Sequence, residues 1–323
     1  MPFFKSFSDI WPPVRSRTFT IIAFTVPVAL LLLLPRLIDS YRAYLSLGPG
    51  GLPHNPLGYL IQAALRPIAR WDLRADPPPY RNHRSSAAVV ARYAPHGLTS
   101  FLPQDIHNNS SGGNRSDDLL PPRTPPRPEV PDFVAPQRQA TQPASGPMIA
   151  RMQGFLRALA ARNPSLLEIR PSGLEGVGTD AVYLKATPPS RSRNSNSSSS
   201  SGSGSSQGHV GDVGREEQEA KAVAAVVVPE YMGMAKAEIV HVHGEGSSHV
   251  TMSLVDAEAA VKQGWAERHP LTGVPKMLPW GYVLLYAPRD DVEYELWTKL
   301  VVAGCRFVAG GREIAGVSET TRQ

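Results

Sequence analysis

One stretch restricts the fold of this chain more than any other: "AEIVHVHGEGSSHVTMSL", residues 237–254. Polar and apolar residues alternate on both sides of "GEGS", which is the pattern of two strands joined by a glycine-containing hairpin loop. Successive side chains of a strand point to opposite faces. His241 and His243 should therefore share one face with His249, and the valines should share the other. The stretch predicts a sheet with one apolar face and one histidine-bearing face.

The segments around this hairpin indicate an α+β fold with a mostly antiparallel sheet and packed helices. "LLEIRPSGL", "AVYLKAT" and "PWGYVLLYAPR" predict strands, while "AVAAVVVPEY" is ambiguous between strand and helix. Helical spacing in "PMIARMQGFLRALAARNP" predicts an amphipathic helix. "DAEAAVKQG" predicts a short helix with Asp256 as N-cap, and "DDVEYELWTKLVVAGCRFVAGG" a longer one that opens on acidic residues.

Composition divides the chain, which contains 32 prolines and 27 glycines, into folded and unfolded parts. The predicted organisation is an N-terminal tail 1–17, a transmembrane anchor 18–37, a juxtamembrane helical segment 38–75, a Pro-rich disordered linker 76–146, an α+β domain 147–312 with a disordered Ser-rich insertion 188–215, and a C-terminal tail 313–323. The linker contains "LPPRTPPRPEVPDF" and the insertion "RSRNSNSSSSSGSGSSQG". Such compositions bury little apolar surface.

The N-terminal run "TFTIIAFTVPVALLLLLP" lies between Arg17 and Arg36 and carries no charge. As a helix it would cross about 27 Å of a hydrocarbon layer about 30 Å thick. A cleaved signal peptide is the alternative, but the run lacks a small-x-small cleavage pattern. We expect a single-pass membrane anchor whose orientation stays open, because the flanking charges are balanced. The helix in "GYLIQAALRPIARWDL" then lies on the membrane surface or packs on the main domain.

Charge and cysteine content exclude several classes of protein. The formal charge is +5, but the arginines cluster in Pro-rich and Ser-rich segments, which argues against nucleic acid as a partner. The single cysteine, Cys305, cannot form an internal disulfide, and its apolar helical context predicts a packed thiol. The sequence offers no nucleophile triad motif, phosphate loop or dinucleotide fingerprint.

The histidines are the candidate functional residues, and His269 in "GWAERHPL" could reach the same face as the other three. Gathered imidazoles can bind a divalent metal or move protons near neutral pH. His241, His243 and His249 are the candidate metal ligands, but acid–base chemistry is favoured because no fourth ligand has a suitable spacing. The HxH pair also resembles cupin metal sites, but Glu245 comes too soon after it.

Three stretches, "AEIVHVHGEGSSHVTMSL", "KQGWAERHPL" and "LLYAPRDDVEYELWTKLV", resemble in that order the luciferase-like domain of the fungal bioluminescence enzymes and their non-luminous relatives. Upstream, "YRAYLSLGPGGLPHNPLGYLI" is similar to the region after the anchor in fungal luciferases. The resemblance covers about half of the chain, residues 42–72 and 148–310. It implies that domain 147–312 is luciferase-like.

The resemblance also implies a membrane-associated enzyme that adds dioxygen, its co-substrate, to a hydroxylated styryl-pyrone, after which the peroxide adduct loses carbon dioxide. Its motifs give the candidate catalytic residues His241, His243, His249, Arg268, His269 and Arg289. A base would ionise an electron-rich enol, and arginines would stabilise the resulting anion. Trp265 and Trp280 could line a pocket for a small aromatic substrate.

Two hypotheses follow. The chain is an oxygenase-type enzyme on a phenolic, pyrone or polyketide-like molecule, or it is a non-catalytic membrane-tethered binding or scaffold protein that retains the fold. "GEGSSHV" is more similar to the non-luminous relatives, which argues against light emission. Convergence of the four histidines beside an apolar cavity would favour the enzyme.

Overall fold

The computed structural model describes residues 33–75, 78–82, 86–104, 119–176, 178–186 and 226–317. The helices are α1 (33–46), α2 (Pro56–Leu65), α3 (Ser86–Ala91), α4 (Gly146–Arg162), α5 (Leu254–Lys262) and α6 (Asp291–Val308). The strands are β1 (Leu167–Pro171), β2 (Asp180–Leu184), β3 (Glu238–Val242), β4 (Ser248–Thr251), β5 (Ala266–Arg268) and β6 (Tyr282–Leu285). Short 3-10 turns occupy Arg66–Ile68, Pro79–Asn82 and Glu230–Ala235.

The six strands form one sheet in the order β1-β2-β3-β4-β6-β5, and every neighbouring pair is antiparallel. This confirms the predicted α+β class with its mostly antiparallel sheet and packed helices. The sequence did not predict β5, because three residues are too few to show an alternation. The ambiguous run before β3 ends, in its described part, as irregular chain leading into the 3-10 turn at Glu230–Ala235.

One face of the sheet packs against helices. Trp297 of α6 donates a hydrogen bond to Ser248 Oγ of β4 (2.8 Å), and its ring lies edge-on to Phe155 of α4. α6 approaches closely because Gly304 has no side chain: a Cβ there would lie 2.8 Å from the carbonyl oxygen of Thr251. Val250 is fully buried under the same helix. Burial of each such side chain contributes about 1.5–3 kcal/mol, so this face supplies much of the folding free energy.

The helix caps partly follow the sequence. Asp290 caps α6 by accepting a hydrogen bond from the Glu293 amide. The Cys305 thiol of the same helix is buried, as predicted, and burial raises its pKa to about 12. The predicted cap of α5 was wrong: Ser253 is the N-cap, not Asp256. The Asp256 carboxylate instead accepts hydrogen bonds from Ser100 and from the Phe101 amide. A long-range contact therefore determines the role of this aspartate.

The prediction of a disordered linker over 76–146 was wrong for its described parts, 78–82, 86–104 and 119–146. Leu120 and Val134 are buried in the core, and Arg123 binds the Glu293 carboxylate and the Ala287 carbonyl oxygen. Pro-rich chain makes few internal hydrogen bonds, but here its side chains bond to the sheet and to α6. The composition of a segment indicates how little apolar area it can bury, but it does not indicate which polar groups its side chains will bond.

Several predicted segments lie outside the described residues. They are the N-terminal tail, most of the anchor 18–37, the whole Ser-rich insertion 188–215 and the end of the C-terminal tail. Within the part of the chain that the structure describes, no helix has both the length and the apolar character needed to cross a bilayer. The described end of the anchor, residues 33–37, is helical and forms the start of α1.

Candidate functional site: a buried histidine cluster

Three histidines meet on the sheet face that points away from α6. His241 and His249 lie opposite each other in the β3–β4 pair, and His243 follows the end of β3. His241 Nε2 lies 3.2 Å from His243 Nε2 and 3.3 Å from His249 Nδ1. The exposed fractions of the three residues are 1%, 1% and 5%. This burial argues against an ordinary surface role.

The second nitrogen of each ring has a partner outside the cluster. These contacts are His241 Nδ1 to Glu238 Oε1 (2.6 Å), His243 Nδ1 to Ser247 Oγ (2.8 Å) and His249 Nε2 to Gln137 Oε1 (3.1 Å). All three partners are oxygen atoms that can accept a hydrogen bond. These contacts therefore fix the orientations of the three rings.

The surrounding hydrogen bonds determine which nitrogens carry protons. Ser247 donates its hydroxyl hydrogen to Glu245, so its oxygen is left to accept from His243. Gln137 donates through Nε2 to Glu267 Oε1 (3.1 Å) and to a backbone carbonyl, which turns its Oε1 toward His249. The outward nitrogens of these two rings are therefore the protonated ones.

Burial keeps His243 and His249 uncharged near neutral pH. It lowers the pKa of His243 to about 4 and holds the pKa of His249 well below its usual value. Burial alone would raise the pKa of Glu238, but hydrogen bonds from His241 and two hydroxyl groups lower it below its usual value. A neutral imidazole that carries its proton on the outer nitrogen presents a lone pair inward. The inward nitrogens of His243 and His249 thus present lone pairs, and Glu238 as an ionised acceptor favours the same arrangement for His241.

His269 has a different role from the other three. Its ring lies 5.4 Å from that of His249, and its Nδ1 accepts a hydrogen bond from the Leu271 amide (3.0 Å). Burial lowers its pKa to about 3, so the ring is neutral and carries its proton on Nε2. His269 is therefore a hydrogen-bond donor beside the cluster.

A cavity of about 130 Å³ adjoins this cluster. His241, His249 and His269 form its polar side together with Gln137. Its remaining wall is largely apolar and includes Leu52, Leu65, Leu174, Leu271, Leu278 and Tyr282. A cavity of about 150 Å³ can hold a benzene ring, so this one has room for roughly one six-membered ring.

Apart from Leu65 at the end of α2 and Met234 in a 3-10 turn, the cavity is covered by irregular chain. The Gly51 amide donates to the Glu175 carbonyl oxygen (2.8 Å), and the Glu175 carboxylate pairs with Arg138. A Cβ at Gly50 would meet the side-chain ends of Arg138 and Glu175, so a larger residue there would displace this ion pair. Glu175 Oε1 also lies 3.9 Å from His243 Nε2. We call residues 50–52, 135–139 and 172–175 the roof of the site.

The structure does not bring the predicted arginines to the cluster. Arg268 pairs with Val283 in the β5–β6 register, so it lies on the helix-packed face, and its Nη1 donates to the Ala75 carbonyl oxygen (3.0 Å). Arg289 binds Glu293 at the start of α6. Both therefore hold parts of the fold together, and neither lines the histidine cavity.

The two predicted tryptophans also lie away from the cluster. Trp265 donates through Nε1 to the Pro121 carbonyl oxygen (2.7 Å), which fastens the linker segment to the domain. Trp280 lines a neighbouring cleft of about 660 Å³, where its ring contacts Tyr80 and the guanidinium of Arg70. The cleft and the histidine cavity share one lining residue, Leu278.

Sequence reasoning missed three residues that hold the site: Gln137, Glu175 and Glu238. Strict alternation puts Glu238 on the valine face, but a register shift between β2 and β3 lets its carboxylate reach His241. Gln137 belongs to the Pro-rich segment and Glu175 to a turn, and neither shows a periodic signal. The sequence signal that could have indicated carboxylates near the histidines is the presence of Glu238 and Glu245 on either side of them in "AEIVHVHGE".

Comparison with known proteins identifies the domain. Residues 236–304 match the family described as "Luciferase domain". Proteins named luciferase from Armillaria mellea and Armillaria ostoyae are 24% and 22% identical, over 94% and 91% of this chain and 94% and 90% of their own. A luciferase from Neonothopanus nambi is 34% identical over 77 residues, 23% of this chain and 28% of its own. Residues 236–304 thus belong to the luciferase domain family, and the chain as a whole is distantly similar to fungal luciferases. No solved structure matches it.

The matched luciferase domain contains all four histidines, because they lie between residues 236 and 304. Gln137, Glu175 and Arg138 lie outside it, although the Armillaria luciferases align with most of the chain. The luciferase domain therefore supplies the four histidines of the site. The roof comes from the rest of the chain.

Proposed function

We propose that the chain is an oxygen-using, luciferase-like enzyme that acts on a phenolic, pyrone or polyketide-like small molecule at the histidine cavity. The observation that carries the proposal is the convergence of His241, His243, His249 and His269 beside an apolar cavity. A binding or scaffold protein does not need several imidazoles gathered at a cavity, whereas proton transfer with a bound substrate uses them.

The cluster suits the ionisation of an acidic enol. The inward lone pairs of His241 and His249 can accept the enol proton, and the Nε2–H of His269 can donate to the enolate oxygen. The apolar wall excludes water, which strengthens both interactions. For a pyrone, the enolate carbon then gives electrons to dioxygen and a carbon–oxygen bond forms. The outer peroxide oxygen attacks the lactone carbonyl, and cleavage of the O–O bond and of the carbon–carbon bond to that carbonyl releases its carbon as carbon dioxide.

The dimensions of the cavity restrict the substrate. About one six-membered ring fits beside the histidines, so a hydroxylated pyrone or phenol ring is the reacting part. A second ring would extend past Leu278 into the neighbouring cleft, where Tyr80 and Trp280 offer aromatic contacts. A styryl-pyrone has two rings joined in this way. The polar guanidinium of Arg70 in the cleft suits phenolic oxygens on the second ring.

The experiment is oxygen uptake with carbon dioxide release by the purified full-length protein. A hydroxylated styryl-pyrone is compared with its O-methyl ether, which has no ionisable enol. We expect turnover of the first compound only, with little or no light, and a fall in kcat of at least about tenfold in His269→Gln. Binding of both compounds without oxygen uptake would favour the scaffold alternative. Turnover of the ether would exclude enol ionisation as the role of the cluster.

We further propose that the protein is anchored in a membrane by residues 18–37, with the bilayer as its partner. Supporting this, α1 continues directly from the apolar run and exposes Leu33, Leu34 and Leu37. α2, which packs on α1 through Tyr59 and Tyr44, exposes further apolar side chains, Leu57, Leu60 and Ile61. These exposed side chains suit a helix pair lying in the membrane interface.

Membrane fractionation tests this anchor. Full-length protein should pellet with membranes and resist extraction with carbonate, whereas a chain that begins at residue 38 should be extracted. Recovery of the full-length protein in the soluble fraction without detergent would contradict the proposal.

A further inference from the structure

We propose that His241, His243 and His249 bind one divalent transition-metal ion. One nitrogen from each ring lies within 4.8 Å of the other two, and all three residues are buried. The inference concerns the same residues as the proposed function but does not rest on it, because binding requires no substrate.

The spacing of the nitrogens fits a common ion. Bonds of about 2.0–2.1 Å at tetrahedral angles place two ligand nitrogens about 3.3 Å apart. The measured spacings from His241 Nε2 are 3.2 Å to His243 and 3.3 Å to His249. The third spacing, between His243 and His249, is within 4.8 Å and needs only a small rotation of the rings.

The protonation pattern leaves a space that a cation would occupy. The outer nitrogens face Glu238, Ser247 and Gln137, and these partners keep the protons on the outside. Three lone pairs then converge with no proton between them, which is repulsive. Histidine ligands in metal sites show this arrangement, with the far N–H donated to a carboxylate or another oxygen atom.

The charges around the cluster favour a divalent cation. Glu175, Glu238 and Glu245 each contribute a negative charge, and Arg138 contributes one positive charge. Three negative charges less one positive charge leave an excess of two negative charges among these side chains. Two positive charges on a bound ion balance that excess.

Glu175 supplies the fourth ligand that the sequence did not reveal. Its Oε1 lies 3.9 Å from His243 Nε2, and it comes from the turn between β1 and β2, far from the histidines in sequence. The oxygen nearest His243 is the one paired with Arg138, so a change of side-chain rotamer that brings the carboxylate to the ion would also alter that pairing. The chemistry of three imidazoles and one carboxylate suits Zn²⁺, Fe²⁺ or Co²⁺ rather than Mg²⁺ or Ca²⁺.

A shared proton is the competing explanation. If one ring carried a second proton, it could donate to one neighbouring lone pair and relieve part of the repulsion. A proton would serve at most two of the three nitrogens well, whereas an ion contacts all three. The two explanations differ in whether the protein binds a metal at a defined stoichiometry.

The experiment is titration of chelator-treated, full-length protein with Co²⁺, followed by visible absorption, and with Zn²⁺, followed by equilibrium dialysis. We expect one ion per chain and the intense visible bands of low-coordinate Co²⁺ with nitrogen ligands. His243→Ala should weaken binding at least 100-fold, and Gln137→Leu about 10–100-fold as an outer partner. His54→Ala, which changes an exposed histidine outside the cluster, should bind as the unaltered protein does.

The unaltered protein decides the matter even if a histidine variant fails to fold. Absence of visible Co²⁺ bands, or binding that His243→Ala and His54→Ala retain equally, would overturn the proposal. Circular dichroism identifies any variant that has lost its fold, and Gln137→Leu then provides the comparison. Oxygen uptake by metal-free protein that binds no ion would reject this inference while supporting the proposed function.

Discussion

The two faces of the sheet are built in opposite ways. The face with Val250 and Ser248 is covered by α4 and α6 and holds mostly apolar side chains, with Arg268 on it at the β5 edge. The face with His241 and His249 is covered by irregular chain and holds buried polar side chains. The same β3–β4 hairpin contributes to both. The comparison shows that the side chains that stabilise the fold lie on one face of the sheet and that the candidate functional side chains lie on the other.

The difference in covering has a physical reason. A helix buries an apolar stripe well, but its own backbone hydrogen bonds are already made. Irregular chain offers free backbone and side-chain groups, as Gln137 does for His249 and Glu267. A polar face that must exclude water therefore needs such chain as its cover.

The largest expected effect lies on the helix-packed face. Trp297→Ala should lower the free energy of unfolding by about 3–5 kcal/mol, because it removes a buried ring and leaves Ser248 without its donor. Urea unfolding measures the loss. The same change at the exposed Trp71 should cost less than about 1 kcal/mol. Equal losses at the two positions would contradict the assignment of stability to this face.

A roof substitution should affect chemistry more than stability. Gln137→Leu removes the acceptor of His249 and a donor to Glu267, so we expect activity to fall at least tenfold and unfolding free energy by about 1–3 kcal/mol.

Gln139→Ala is the matched control for Gln137→Leu. Gln139 is equally buried, but it bonds the Ala287 amide and not the histidines, so a similar stability loss should come with a smaller activity loss. If both variants lose activity equally, the roof acts as a whole and not through His249.

A smaller steric change also tests whether the roof affects activity more than stability. Gly50→Ala should displace Arg138 and Glu175, because the added carbon would occupy their positions. We expect a stability loss of about 1–2 kcal/mol with a clear drop in turnover. Gly146→Ala, whose added carbon meets nothing within 4 Å, serves as the control and should leave both quantities nearly unchanged. Thermal unfolding and oxygen uptake on the same samples provide the two readouts.

The smallest effect is expected from residues 191–208, which lie outside the described residues. Their removal should move the midpoint of thermal unfolding by no more than about 2 °C, since loop-closure entropy changes slowly with length. A large shift would show that the segment contacts one of the two faces.

The sequence predicted the apolar face well and the polar face only in part. Alternation in β3 and β4 and helical spacing in α4 and α6 are periodic signals, and they revealed the sheet, its helices and the shared face of the histidines. The partners of the histidines were not predictable in this way. Glu238 depends on a register shift, and Gln137 lies in Pro-rich chain whose composition predicted disorder.

The motif residues show the limit of inference from resemblance. Arg268 and Arg289 belong to matched motifs, but their side chains bond the Ala75 carbonyl oxygen and Glu293 rather than the cavity. A motif indicates that a residue is shared with the family, but it does not indicate on which face of the sheet that residue lies. For Arg268, the antiparallel register with Val283 decides the face, and that register required β5 to be known.

Turnover by His241→Ala and His243→Ala tests the central claim most directly. Oxygen uptake with a hydroxylated styryl-pyrone is measured per folded molecule, and unfolding is followed on the same samples. If the polar face carries the chemistry, activity should fall at least about 100-fold while a cooperative unfolding transition remains, because the helix-packed face is untouched. Normal turnover by both folded variants would contradict the account, since the buried histidines would then have no part in the reaction.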